Sequence, residues 1–158
     1  MRAEVGDGAV APVAILAPAG RDAAVATTVL EGAGLATRTC RDMAALCAAV
    51  DEEVGVLLVA EEALTDGARA MLLETLSRQP SWSDIPVVVL TGEGELSRVL
   101  APAMQSVTAQ ANVTLLERPV RVQTLVTTLR SALRARYRQL DLRDHLADRT
   151  AAVEVRAE

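Results

Sequence analysis

Lysine and phenylalanine are absent from this 158-residue chain, and histidine, tryptophan and tyrosine occur once each, as His145, Trp82 and Tyr137. Without lysine, chemistry that needs an amine side chain, such as a Schiff base, is excluded. The shortage of rings leaves no platforms for stacking nucleic-acid bases, so nucleic acid is not expected as a partner. It also makes the core aliphatic: Val, Leu, Ile and Ala. The two cysteines, Cys40 and Cys47, have no His or further Cys nearby, which is too few ligands for a metal site. They read as small buried hydrophobes. No run reaches the roughly 18 apolar residues of a membrane span, and Met1–Pro12 lacks the apolar centre of a secretory signal. The expectation is a soluble, cytoplasmic chain with no membrane insertion, no metal and no cofactor.

Charge is unevenly placed. Residues 1–117 carry 7 Arg against 16 acids, whereas residues 118–158 carry 9 Arg against 5 acids. Half of the residues (51%) are apolar, and four short apolar runs stand out: Val13–Leu16, Val56–Val59, Val87–Leu90 and Val113–Leu116. Continuous runs of this kind suit parallel strands buried on both faces. A fifth, weaker strand is expected over Leu35–Cys40, whose alternating pattern suits an edge. Between the strands, helices are expected over 23–31 with Asp22 as N-cap, 43–50 with Asp42 as N-cap, 68–78, and 96–109, the last interrupted by Pro102. Strands alternating with helices imply a (βα)5 doubly wound α/β sheet in the flavodoxin-like order 2-1-3-4-5 with right-handed crossovers. The division that follows is a disordered start over 1–12, a domain over 13–134, and an extended helix over 135–158.

In such a sheet, ligands gather outside the carboxyl ends of the strands. Those ends read Ala17-Pro18, Ala60-Glu61-Glu62, Thr91-Gly92 and Glu117-Arg118-Pro119. The order of the parts, the segment Ile85–Gly92 and the pair Arg118-Pro119 resemble the CheY-like receiver domains of bacterial two-component response regulators, over about residues 12–134. That resemblance implies acids after the first strand that hold magnesium, an aspartate after the third that accepts phosphate, a Thr or Ser after the fourth, and Lys-Pro after the fifth with a cis proline bond. In this chain those positions are Ala17-Pro18, Ala60, Thr91 and Arg118-Pro119, while the aromatic switch position falls near Leu115.

Alanine and proline offer magnesium no side-chain oxygen, and Ala60 cannot form an acyl phosphate. Glu61, one residue along the strand, is expected on the opposite face. A carboxylate of Glu61 or Glu62 within charge-pair range of Arg118 would mimic a permanently phosphorylated state; the bland alternative is that both are solvated loop acids. No glycine motif for a dinucleotide follows the first strand. Glu61 as an atypical phosphoacceptor is one rival reading. A small-molecule sensor in the apolar crevice at Ala17, Pro18 and Ala60 is another.

After Pro119 neither Gly nor Pro interrupts a long amphipathic helix. Its stripe runs through Val122, Val126, Leu129, Leu133, Tyr137 and Leu140, then shifts register to Leu142, Leu146 and Val153. The first part is expected to dock on the sheet. Leu129, Leu133, Tyr137, Leu140 and Leu146 are the candidates for contact with a protein partner, simplest as a homodimeric parallel coiled coil. Arg134, Arg136 and Arg138 read as its solvated flanks, and His145 as a surface residue. The resulting expectation is a degenerate receiver, without catalysis of its own, regulating an attached or partner histidine kinase through this helix. Such modules occur at the N-terminus of hybrid sensor kinases.

Overall fold

The computed structural model describes residues 11–17, 20–92 and 111–157. Within them run β1 (Val13–Leu16), α1 (Gly20–Gly32), β2 (Thr37–Thr39), α2 (Met43–Val50), β3 (Val56–Ala60), a 3-10 turn (Glu61–Ala63), α3 (Asp66–Ser77), β4 (Val87–Thr91), β5 (Val113–Glu117) and α4 (Val122–Ala157). The strands form one parallel sheet in the order β2-β1-β3-β4-β5, as expected. Residues 1–10, Pro18 and the helix expected over 96–109 lie outside the described residues.

β1 and β3 are buried at every position because helices cover both faces of the central sheet. Successive side chains point to opposite faces, so each strand feeds two cores. Ala14, Leu16, Leu57, Val59, Val87 and Val89 pack with residues of α2 and α3 such as Leu46 and Leu72. Val13, Ile15, Val56, Leu58 and Val88 pack with Leu30 of α1 and with Leu125, Val126, Leu129 and Leu133 of α4. Gly55 allows α4 to approach closely: a Cβ there would collide with Leu133 and lie 3.1 Å from Ala11 Cβ.

The helix ends follow local chemistry. Asp42 caps α2 by accepting from Ala45 N at 2.8 Å, and Thr65 caps α3 by accepting from Ala68 N at 3.4 Å. α1 begins at Gly20, so Asp22 lies inside the helix and is not its cap. Its far end is a Schellman stop. Gly34 takes φ +86, Leu35 N donates to Leu30 O, and Gly34 N donates to Glu31 O. The edge strand β2 is shorter than expected, leaving Cys40 just beyond it. Cys40 and Cys47 are both buried free thiols. Burial raises the Cys40 pKa, against a smaller lowering by Arg38, so this thiol stays protonated and unreactive.

α4 contains 36 residues, about 54 Å at 1.5 Å per residue. Its docked stripe corrects part of the sequence reading. Leu129 and Leu133, expected on a partner-facing surface, are 0% and 6% exposed. Their four-residue spacing places them on the same face as Leu125, which covers the sheet. Tyr137 is half-buried, its hydroxyl accepting from Ala11 N at 3.3 Å, and Leu140 is half-buried where α4 leaves the body. Arg136, expected as a solvated flank, is also buried.

Gln139 accepts from Asp84 N, and Arg143 donates to Glu53, so the domain body grips the helix as far as Arg143. From Asp144 to Glu154 every residue is exposed. The large apolar side chains left exposed along this stretch are Leu146 and Val153, with Leu142 just before it. His145 is exposed, its Nδ1 2.8 Å from Asp141 O. No helix among the described residues is long and apolar enough to cross a membrane.

Candidate functional site at the strand ends

The rim is built where β3 and β4 stop. β3 ends at Ala60, whose methyl is 3% exposed, and the backbone turns at once into the 3-10 segment Glu61–Ala63. Leu64, itself buried, donates its N–H to Glu61 O and closes that turn. The change of backbone removes the strand alternation that would have sent Glu61 to the far face. Glu61 is instead only 4% exposed, and its Oε1 accepts from Gly92 N at 2.9 Å, just past β4.

Glu62 reaches across to the loop after β5. Arg118 Nη2 donates to Glu62 Oε2 at 2.6 Å, a charge-assisted bond. Arg118 Nε donates to Thr91 O at 3.1 Å and its backbone N to the same oxygen at 2.9 Å, which fixes the guanidinium against the end of β4. Burial pushes the Glu62 carboxyl up, but the Arg118 hydrogen bond and charge outweigh it, so its pKa lies below the usual value. The Arg118-Pro119 bond is cis. Thr91 Oγ1 points back to Leu116 O at 3.5 Å, a long bond.

The reading as solvated loop acids is therefore overturned for Glu61, which is buried and bound into the rim, whereas Glu62 stays exposed to solvent while its carboxylate pairs with Arg118. An anion arriving between β3 and β4 would look for the Gly92 N–H and the Arg118 guanidinium, and carboxylates of this chain already engage both. The magnesium implied by the receiver resemblance does not fit these residues. Ala17 and Ala60 carry no side-chain oxygen, and the carboxylates of Glu61 and Glu62 are turned toward Gly92 and Arg118. Among the described residues no group of three or more His, Cys, Asp or Glu side chains gathers in a way that could hold a metal ion.

Beside the rim lies an apolar crevice of about 180 Å³, lined by Leu16, Ala17, Val29, Ala60, Leu90 and Arg118 among others. The structure thus brings Ala17, Ala60 and Arg118 to one place, with Glu61, Thr91 and Pro119 beside them. Pro18 falls outside the described residues. Leu115, near which the receiver resemblance implies an aromatic switch, is 45% exposed. Sequence reasoning missed the turn at Glu61. Its signal was Leu64, an apolar residue spaced to pull the chain over the strand ends.

No protein-family model matches the chain, and no curated protein matches it in sequence. Solved structures do match. The receiver domain protein (CheY-like) from Methanospirillum hungatei superposes with a TM-score of 0.64 at 14% identity, over 82% of this chain and 98% of that one. A receiver domain protein from Clostridium thermocellum gives 0.65 at 18% identity, over 81% and 98%. NtrX from Brucella abortus, solved in complex with ADP, gives 0.66 at 20% identity, covering 90% of this chain. This chain spans 30% of that NtrX chain. The chain has the receiver fold.

Proposed function

We propose that this chain is a pseudo-receiver: a non-catalytic, cytoplasmic signalling module that regulates an attached or partner histidine kinase by protein–protein contact. The receiver fold supports the signalling role. The observation that carries the rest is the closed rim, in which Glu61 engages Gly92 N and Glu62 engages Arg118. These carboxylates take the place of an incoming phosphoryl group and hold the strand ends in one state. Output leaves through α4, which presents Leu142 and, on its free end beyond Arg143, Leu146 and Val153 for pairing with a second copy or with a partner's helix.

Incubation with acetyl phosphate and magnesium, followed by intact mass measurement, tests the reading. The unmodified mass is the expected result. Gain of one phosphoryl group overturns it in favour of an atypical receiver using Glu61. The apolar crevice beside Ala17 and Ala60 favours a second reading, a small-molecule sensor. Dose-dependent thermal stabilisation by one nucleotide or quinone would support it.

A further inference from the structure

At the opposite end of the sheet, the loop before β4 and the turn before β3 meet α4 where it leaves the body. Arg136 lies at this joint and is 3% exposed. Its Nη1 donates to Ser83 Oγ at 2.8 Å and to Gln139 Oε1 at 2.7 Å. Nε is sealed from solvent without a partner, and Nη2 makes no hydrogen bond to any described residue. No carboxylate of a described residue stands within ion-pair distance of it. Burial first, and then the charge of Arg143, lower its pKa, and the pull of Asp84 and Glu53 does not offset them. A buried guanidinium with unmet donors and no counter-ion is an unstable arrangement that calls for an anion.

The surroundings provide room for one. A pocket of about 220 Å³ opens here, lined by Arg136, Arg143, Arg78, Trp82, Ser83 and Gln79 among others. Arg136 and Arg143 stand over the Trp82 ring, 5.4 and 5.6 Å from its centre, so the indole lies beside both charges. Arg143 is already bound to Glu53 and Asp144, leaving Arg136 as the unanswered cation. Asp51 and Glu53 also line the pocket and repel ligands of higher negative charge.

We propose that this pocket binds a small organic monocarboxylate with an apolar body, a carboxylate oxygen meeting Arg136 Nη2 and the body lying beside Trp82. Nη2 is the donor of this guanidinium left without a partner on the pocket side, and a carboxylate would meet it in a charge-assisted bond. Because Arg136 belongs to α4 while Ser83 and Trp82 belong to the loop before β4, the ligand would tie the outgoing helix to the body.

Trp82 is the sole tryptophan, so its fluorescence reads the pocket directly. The full chain is titrated with isobutyrate at constant ionic strength, with inorganic phosphate and chloride as parallel arms. The expected result is a saturable change with isobutyrate alone. It is lost in Arg136→Met with the circular dichroism of the wild type retained, and shifted several-fold to higher concentration in Arg143→Gln. If Arg136→Met fails to fold, Arg143→Gln and Ser83→Ala decide: unchanged affinity in both overturns the site. A change that is linear and shared with chloride, or saturation that survives Arg136→Met, overturns it too. Equal saturation by phosphate overturns the assignment to a carboxylate.

Discussion

Arg118 and Arg136 sit at opposite ends of one sheet and meet different surroundings. Arg118, at the carboxyl ends of the strands, is held by Glu62 and by the Thr91 carbonyl. Arg136, at the amino ends, is more deeply buried, yet it finds only a hydroxyl and an amide oxygen. The rim where the fold ordinarily takes its ligand is closed by the chain's own acids. The joint that grips the outgoing helix carries the unanswered charge. In this molecule the position of an anion site follows from which donors the chain leaves unmet, and the strand ends alone do not decide it.

The largest effect lies along α4, whose docked and free portions the account separates. Leu129→Ala removes a side chain buried in the sheet-facing core and is expected to cost about 2–5 kcal/mol. Leu146→Ala on the exposed portion should stay within about 0.5 kcal/mol. Chemical denaturation of both variants checks this, and equal losses would break the division at Arg143.

Next comes the rim. Glu61→Ala strips the Gly92 N–H of its acceptor and should cost about 1–3 kcal/mol in the same assay.

Glu62→Gln has the smallest expected effect, under about 1 kcal/mol, because the pair with Arg118 is partly exposed. Its pH dependence sharpens the comparison. The folded-state pKa of Glu62 lies below the ordinary 4.5, so the pair's contribution is complete above that value and fades as the pH falls through the folded-state pKa. Stability curves of wild type and variant should therefore differ at neutral pH and converge in acid.

Much of this was legible in the sequence. The apolar runs and their spacing predict the sheet order, Asp42 marks the start of α2, and Thr91 with Arg118-Pro119 marks the rim. The rest was set by non-local contacts. Period-two alternation places Glu61 on the wrong face because the 3-10 turn begins one residue earlier than a strand pattern can reveal. Heptad-like spacing is the same whether Leu129 and Leu133 face a sheet or a second helix, so periodicity could not fix where the docked part of the helix ends. Arg136 sits between Arg134 and Arg138 in an exposed-looking charge run. Only the approach of the loop carrying Trp82 and Ser83 shows that it is buried.

The central claim, a rim closed by the chain's own carboxylates, is tested most directly at the Gly92 amide. In amide nuclear magnetic resonance spectra and hydrogen exchange, that proton should be protected in the wild type, and should shift and lose protection in Glu61→Ala. A Gly92 amide that exchanges freely in the wild type, or is unmoved by Glu61→Ala, would contradict the account.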